Sequence, residues 1–363
     1  NIYMFQNTIK MRQLKILFTV PSLSLIGGVA NHYSGLKSYW TENVKYNIIG
    51  KRHNIKGIYW LPFDIIKFTL NLIFFSPDIV ILNPSLGVSA LKRDTIFLTL
   101  SRLFHRKTAL FFHGFNENAV TNIDKRRLTK TLNRNVCIFV LAKNFKKTFE
   151  MWGVKVPIYT MTTKVDDRLV DNFNIHSRTG NIQNILFLSR ITIEKGIFIA
   201  IQAYQKLQTL HPQLKLTIVG EGDALKEAEN YCAKHNLQHV IFTGALQGEK
   251  LKEAFRNGDL YLFPSFHEGM PTSVLEAMAF GIPVITRPVG GLVDFFENGK
   301  MGKMVDSMKP SDFTDAIEPL LTNATLVKQM SQYNYQYAQK HFLASRIALN
   351  MENKLKTVLN FKG

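Results

Sequence analysis

The chain has 363 residues and a formal net charge of +18, with 46% hydrophobic and 20% charged residues. These fractions exclude a disordered chain and a coiled coil, and the length predicts two domains. The two cysteines are too few for a disulfide framework and lie outside metal-ligand spacings. The longest strongly apolar region, residues 68–82, is interrupted by polar residues and falls short of the ~20 residues of a membrane span. Because no secretory signal pattern opens the sequence either, we expect a soluble, cytoplasmic α/β protein.

The positive charge is concentrated in the first half of the sequence. Residues 1–175 contain 25 Lys and Arg against 10 Asp and Glu, whereas the remainder contains 20 against 17. Such asymmetry indicates that the first half meets an anionic surface. Nucleic acid, an anionic membrane and a phosphorylated substrate are all compatible with it.

In the first half, short apolar runs alternate with amphipathic stretches of helical length. The runs predict buried parallel strands at 14–20, 78–82, 108–113 and 136–141. The stretches between them predict helices at 29–40, 87–104, 117–133 and 144–152. Residues 164–181 have little apolar content and predict a linker.

The same alternation resumes after the linker. It predicts strands at 185–189, 214–219, 240–243, 260–263 and 283–286, and helices at 194–209, 224–236, 248–256 and 271–280. From residue 311 the pattern is helical. The alternation predicts two doubly wound parallel-sheet domains, 1–165 and 183–343, joined by a linker at 166–182, with a final helix at about 344–363 packing back onto the first domain. Because parallel sheets bind ligands at the carboxyl ends of their strands, functional residues are expected in the loops after strands.

The loop and helix in residues 260–293 carry the strongest functional signal. Glu268 lies in a loop, Pro271 suits a first helical turn, Glu276 lies on the helix and Gly281 closes it. A helix start after a glycine-containing loop offers backbone N–H groups to an anion, and flanking carboxylates can accept hydrogen bonds from sugar hydroxyls. The alternative is that Glu276 supports the helix and Glu268 is a solvated loop charge.

Three further patterns stand in loops after strands. Arg190 and Lys195 could converge on a diphosphate and replace a divalent cation, or be surface charges with Lys195 paired to Glu194. Gly27 and Gly28 open the first helix, where a tight turn is an equal explanation. His113 ends a strand, and a lone histidine there is more often structural than catalytic.

In combination, these residues resemble the retaining glycosyltransferases of family 4. Those enzymes have the GT-B fold, two Rossmann-like domains facing across a cleft. The resemblance spans nearly the whole chain, is strongest over 185–305, and rests on a set of motifs in order: Gly27-Gly28, His113, Arg190-x4-Lys195, Val219-Gly220-Glu221-Gly222, Glu268-x7-Glu276 and Gly290-Gly291.

The resemblance implies a nucleotide-diphospho-sugar donor held mostly by the second domain. Arg190 and Lys195 would bind the diphosphate, Glu268 the sugar hydroxyls and Glu276 the ribose hydroxyls. His113 would approach the transferred sugar, and Gly27 and Gly28 would let backbone approach a phosphate. The remaining donor-binding positions that it implies are Gly222, Gly244, Leu246, Gly269, Met270, Pro271 and Thr272.

The resemblance also implies a mechanism. With no metal-binding carboxylate spacing in the sequence, we expect a metal-independent hexosyltransferase-type enzyme without a cofactor. Retention implies attack on the face from which the nucleotide leaves, with the leaving phosphate accepting the acceptor's proton. The family pattern is altered in the loop E-G-M-P-T (268–272) and in residues 158–166, so sugar selectivity does not carry over.

A basic stripe in the first half suggests the acceptor. Arg126, Lys130 and Arg134 have helical spacing, with Arg127 beside them. Family members often extend glycans on lipid carriers, so we predict a peripheral enzyme at the inner membrane face that adds sugar to a lipid-linked acceptor in bacterial surface polysaccharide or lipopolysaccharide assembly. No nucleic-acid-binding motif is found, so we expect no nucleic-acid partner. The alternatives are a nucleotide-sugar epimerase of the same fold and a basic nucleic-acid-binding protein.

Overall fold

The computed structural model describes residues 12–25, 27–52, 55–114 and 124–361, without the side chains of 88 and 89. The chain divides into two compact units. The first unit comprises Asn1–Val140, Lys146–Tyr159 and Ala348–Gly363, and the second comprises Leu141–Phe145 and Thr160–Ile347.

The first unit contains a six-stranded sheet of order β2-β1-β3-β4-β5-β6, in which the pairings from β2 to β5 are parallel. Every residue of β3 and β5 is buried, as expected of parallel strands covered on both faces. The strands are β1 (Lys15–Val20), β2 (Asn43–Ile48), β3 (Ile79–Leu82), β4 (Lys107–Phe112), β5 (Cys137–Val140) and β6 (Ile158–Thr160). The helices are α1 (Gly28–Leu36), α2 (Gly57–Leu70), α3 (Val88–Leu103), α4 (Lys125–Leu132) and α5 (Lys143–Met151).

The second unit contains a six-stranded parallel sheet of order β12-β11-β10-β7-β8-β9. Apolar residues of its strands and helices form one buried cluster around that sheet. The strands are β7 (Asn184–Leu188), β8 (Lys215–Val219), β9 (Val240–Phe242), β10 (Leu260–Phe263), β11 (Val284–Thr286) and β12 (Gly302–Met304). The helices are α6 (Ile197–Leu210), α7 (Leu225–Lys234), α8 (Gly248–Asn257), α9 (Thr272–Ala279), α10 (Pro310–Leu321) and α11 (Ala324–His341). The final helix, α12 (Ala344–Leu359), begins in this unit and belongs to the first unit from Ala348 onward.

The architecture confirms the predicted fold class of two Rossmann-like α/β units, but three details differ. The helix predicted to begin at 194 begins at Ile197, because Gly196 has a left-handed φ of 78° and its backbone lies against Pro264. Pro271 precedes α9 as its N-cap residue and is not within its first turn. The helix predicted from 117 falls partly outside the described residues, and α4 begins at Lys125.

The predicted linker and the predicted final helix each make specific contacts within one unit. In residues 166–182, the buried guanidinium of Arg178 donates to the carbonyls of Phe280 and Phe255, at 2.9 and 2.8 Å. In α12, the buried carboxylate of Glu352 accepts hydrogen bonds from the backbone N–H and hydroxyl of Thr41. Glu352 and Thr41 both belong to the first unit.

The sequence analysis expected no apolar segment long enough to cross a membrane, but one helix has that length. Helix α2 continues as a π-helical turn (Asn71–Phe75), and the 19 residues Gly57–Phe75 have a mean hydropathy of 1.4 in their most apolar window. By length and composition alone, this helix could span a bilayer. The sequence analysis missed it because Pro62, Asp64 and Lys67 interrupt the apolar run.

Candidate active site

An ion pair at the carboxyl edge of the second sheet joins the loop between β10 and α9 to the loop after β7. Lys195 Nζ forms a salt bridge with Glu268 Oε1, and both side chains are mostly buried, at 16% and 13% exposure. The hydroxyl of Ser265 donates to the same Oε1 at 2.9 Å. The sequence predicted both charged residues as ligand-binding groups but not their direct contact. Their pairing stabilises a carboxylate and an ammonium side by side at the edge where parallel sheets bind ligands.

The backbone around Lys195 explains how this ion pair is held. A short 3-10 turn (Ile193–Lys195) ends at Gly196, and the N–H of Phe266 donates to the Glu194 carbonyl at 2.8 Å. Arg287, which the sequence analysis missed, places its guanidinium 3.4 Å from the Phe266 carbonyl. The main-chain hydrogen bond between Phe266 and Glu194 therefore joins the loops after β7 and β10.

The start of α9 adjoins the Glu268 loop and lacks a side-chain cap. Because the first N–H groups of a helix have no intrahelical acceptor, this end can bind an anion. Gly290 and Gly291 fix the loop from the other side, since the Gly291 N–H donates to the Gly269 carbonyl at 2.8 Å. Gly290 has a φ of 54°, and a Cβ added there would lie 2.2 Å from the Gly269 oxygen. Only glycine fits this close approach.

Glu276 lies on α9 in an environment that changes its protonation. Burial raises the pKa of Glu276 to about 7, with Lys164 lowering it and Asp166 raising it. Lys164 is itself only 3% exposed, so the second unit buries a cation within electrostatic range of this carboxylate. The sequence analysis did not identify Lys164, because a residue 112 positions away gives no spacing signal.

The other predicted donor residues of the second unit fall on the same sheet edge. Arg190 follows β7 and is exposed. Gly222 packs on the Ile191 carbonyl, and the Gly220 N–H donates to the Gly244 carbonyl at 2.9 Å, which joins the loops after β8 and β9. The remaining side chains range from buried to half-buried: Leu246, Met270, Pro271 and Thr272.

In the first unit, His113 directly follows β4 and belongs to a neutral network. Its Nε2 lies 2.8 Å from Asn83 Oδ1, which also accepts from the Tyr33 hydroxyl at 2.7 Å. Asn83 Nδ2 donates to the Thr19 carbonyl, which fixes the amide orientation and makes His113 Nε2 the proton donor. Burial lowers the pKa of His113 to about 3, so the ring is neutral at physiological pH. Asn83 was not identified from the sequence.

Gly27 and Gly28 stand at the start of α1, as predicted. Gly27 is the N-cap residue with an extended φ of 171°, and Gly28 is the first residue of the helix. At both positions a Cβ would meet no heavy atom within 4 Å. The protein itself therefore does not demand glycine here. The neighbouring Ile26 of the same motif lies outside the described residues.

The predicted basic stripe is exposed but is not a single helical stripe. Arg126, Arg127 and Lys130 lie exposed on α4, whereas Arg134 lies beyond the helix, which ends at Leu132. The spacing extended the helix too far because Asn133 caps it. Arg127, Lys130 and Arg134 also line a groove of about 720 Å³ between α3 and α4.

Within the described ranges, no group of three or more His, Cys, Asp or Glu side chains is placed to hold a metal ion. Metal independence stays a prediction.

The second unit is similar in sequence to known proteins. Residues 171–337 match the model of a family described as glycosyl transferases group 1. An uncharacterized glycosyltransferase of Methanocaldococcus jannaschii is 34% identical over 140 residues, 38% of this chain and 36% of the relative. A D-inositol 3-phosphate glycosyltransferase of Paenarthrobacter aurescens is 30% identical over 187 residues, 48% of this chain and 44% of the relative. The matched stretch thus covers less than half the length of each relative.

The fold comparison extends over both units. A solved structure of Anabaena HepE in complex with UDP is similar with a TM-score of 0.73 and 16% identity, covering 95% of this chain and 100% of that chain. At this identity the likeness shows the fold alone, which is the α/β fold of GT-B proteins. The sequence matches of the second unit are to glycosyltransferases.

Proposed function

We propose that this protein is a metal-independent, retaining glycosyltransferase of family 4 that takes its sugar from a nucleoside diphosphate. The observation that carries the proposal is the Lys195–Glu268 ion pair beside the uncapped start of α9. A cation, a carboxylate and free backbone N–H groups within one loop suit a ligand that joins a phosphate to a sugar.

The diphosphate is held by positive charge. Lys195 and Arg190 bind its oxygens, and the N–H groups at the start of α9 add the positive end of the helix dipole. These groups stabilise the charge that develops on the leaving phosphate, a role that a divalent cation otherwise fills. A nucleoside diphosphate is thereby released without a bound metal.

The two glutamates act on different sugars. The contacts of Glu268 with Lys195 and Ser265 are both made by Oε1, which leaves Oε2 for hydroxyls of the transferred sugar. Glu276, on the helix, accepts hydrogen bonds from the ribose hydroxyls in its ionised form. Neutral His113 uses its Nε2–H on Asn83, so its Nδ1 accepts a hydrogen bond from the transferred sugar without a change of charge.

The transfer itself needs no enzymic nucleophile. The acceptor hydroxyl attacks the anomeric carbon on the face that the phosphate leaves, so one C–O bond forms as the other breaks. The acceptor's proton moves to an oxygen of the departing phosphate, which gives nucleoside diphosphate and retained configuration.

A similar structure suggests the donor, and the exposed cations of the first unit suggest the acceptor. The Anabaena structure holds UDP, which makes uridine nucleotides the first donors to test. The cations Arg126, Arg127, Lys130 and Arg134 favour an acceptor at an anionic membrane, so we propose a lipid-linked glycan acceptor at the cytoplasmic face, in surface polysaccharide or lipopolysaccharide assembly.

Calorimetry on two variants tests the assignment. We expect Glu276→Ala to weaken binding of free UDP, whereas Glu268→Ala leaves UDP binding within about threefold and weakens only the intact UDP-sugar. Lys300→Ala, which breaks an exposed ion pair with Glu297, serves as the control and changes neither. Equal losses in both glutamate variants would contradict the separate roles. A nucleotide sugar returned with inverted stereochemistry and no transfer would instead identify an epimerase.

A further inference from the structure

Helix α2 presents an apolar face that no described residue of the first unit covers. Its exposed side chains recur at helical spacing over four turns, and Phe63 and Phe74 are 64% and 79% exposed. We call this face the α2 stripe: Tyr59, Phe63, Ile66, Leu70, Ile73 and Phe74. Such a continuous exposed apolar face on a folded unit indicates an interaction site.

The opposite face of α2 is anchored in the first unit, so the helix does not leave the sheet. Phe68 and Leu72 are fully buried, and Asn71 donates to Asn47 of β2 at 2.9 Å. The buried Asp64 accepts from the Gly50 N–H at 2.9 Å and is paired with Arg52. Spanning a bilayer would expose this carboxylate to lipid, which is costly. The helix therefore meets its partner side-on.

Charge around the stripe selects the partner. Residues 43–77 contain five Lys and Arg, and their single acidic residue is the buried Asp64. Lys67 is exposed within the stripe, and Lys15 and Lys45 lie over the ring of Phe75 at its end. A two-fold dimer through this face would set it against an equally cationic face. An apolar face with a cationic border suits the interface of an anionic bilayer.

The chain topology places further cations beside the stripe. The connections β2–β3, β3–β4 and β4–β5 all progress in one direction across the sheet, so right-handed crossovers put α2, α3 and α4 on one face. Helices α2 and α3 pack together, and Arg102 of α3 donates to the Thr131 carbonyl of α4 at 3.3 Å. The exposed cations Lys92, Arg126 and Lys130 therefore belong to the same helical layer as the stripe.

We propose that the α2 stripe inserts into the headgroup region of an anionic membrane, with α2 lying parallel to its plane. The cations of α3 and α4 contact lipid headgroups around it, so attachment combines apolar burial with charge. The role of this membrane attachment, which is to hold the enzyme at a lipid-linked acceptor, rests on the proposed function. The geometry of the attachment does not depend on it.

Vesicle binding by the full chain tests the insertion. Wild type is expected to sediment with phosphatidylglycerol-containing vesicles, and Phe63→Ser/Phe74→Ser to lose at least about tenfold in vesicle affinity. The matched control, Leu210→Ser/Ile241→Ser, removes two exposed apolar side chains of the second unit and keeps wild-type binding. Unchanged binding by the α2 variant overturns the proposal.

A depth measurement separates insertion from surface attraction. Because Cys137 and Cys232 are buried, Ile66→Cys can be labelled selectively with an environment-sensitive fluorophore. Its emission should shift to the blue with these vesicles, whereas a label at Leu210→Cys should not respond. A label that stays water-exposed overturns insertion, as does a dimer in vesicle-free solution that Phe63→Ser/Phe74→Ser converts to monomer. UDP binding, measured on the same samples, reports the proposed function independently.

Discussion

The carboxyl edges of the two sheets differ in how they use charge. In the second unit, 20 Lys and Arg nearly balance 19 Asp and Glu, and opposite charges are buried together at the strand ends, as in Lys195 and Glu268. The first unit has 25 against 8, yet the network at its strand ends is neutral, with His113 and Asn83 at its centre. Net charge therefore does not locate the chemistry of a unit. Buried compensated charge marks a candidate site, whereas the excess lies on outer helices.

Removing Lys195, the cation of the Lys195–Glu268 ion pair, should have the largest effect on transfer. In the proposed function, Lys195→Ala removes a charged hydrogen-bond donor from the diphosphate, which is expected to cost ~1.5–3 kcal/mol, or about 10- to 150-fold in transfer. Steady-state transfer assays measure it, with and without EDTA.

The control for this prediction is Lys300→Ala, whose exposed ion pair should contribute little. A Lys195→Ala enzyme with near-normal turnover, or a wild type that needs added Mg²⁺, would contradict the assigned role of the cation.

Local sequence pattern was sufficient for much of the fold. The buried strands β3, β5 and β10 are continuous apolar runs, and such runs are the strongest sign of a parallel sheet. The edge strand β2 was missed because N-V-K-Y-N-I alternates with polar residues. The α2 stripe was missed for a related reason, since polar residues on the anchored side hid an apolar exposed side.

The candidate site was predictable only where its residues lie in one loop. Glu268 and Glu276 were found together because one loop and helix carry both. Lys164 acts on Glu276 from 112 positions away, and Arg287 contacts the Phe266 carbonyl from the end of β11, so only the tertiary structure reveals them. Asn83 was missed likewise, since its role depends on two neighbouring strands in the sheet.

The two units should respond differently to pH between 5 and 8. Glu276 has a pKa raised to about 7 by burial, so lowering the pH below 7 protonates the carboxylate that we propose accepts hydrogen bonds from the ribose hydroxyls. UDP affinity should then fall by up to about tenfold per pH unit. Stability without ligand should move the other way. The folded state holds this proton more tightly than the unfolded chain, so the Glu276 contribution declines as pH rises from about 4.5 to 7.

Titration calorimetry and urea unfolding between pH 5 and 8 measure both trends. Glu276→Gln should flatten each, because the amide does not titrate. His113 should add nothing in this range, since its pKa is lowered to about 3. A pH dependence of UDP binding that survives in Glu276→Gln would assign the titration to another group.

The smallest expected effect probes the neutral network of the first unit. Tyr33→Phe removes the hydroxyl that donates to Asn83 Oδ1, while Asn83 keeps its bond to the Thr19 carbonyl and its contact with His113. Losing one neutral hydrogen bond costs about 1 kcal/mol of stability. Because the His113 ring stays neutral and nearly fixed, transfer should fall less than about fivefold. Tyr231→Phe is the matched control, since it removes a hydroxyl bond to Gln205 in the second unit. Urea unfolding should show similar losses for the two variants, and transfer assays should show a decrease for Tyr33→Phe alone. If both variants slow transfer equally, the Asn83 network has no specific part in orienting His113.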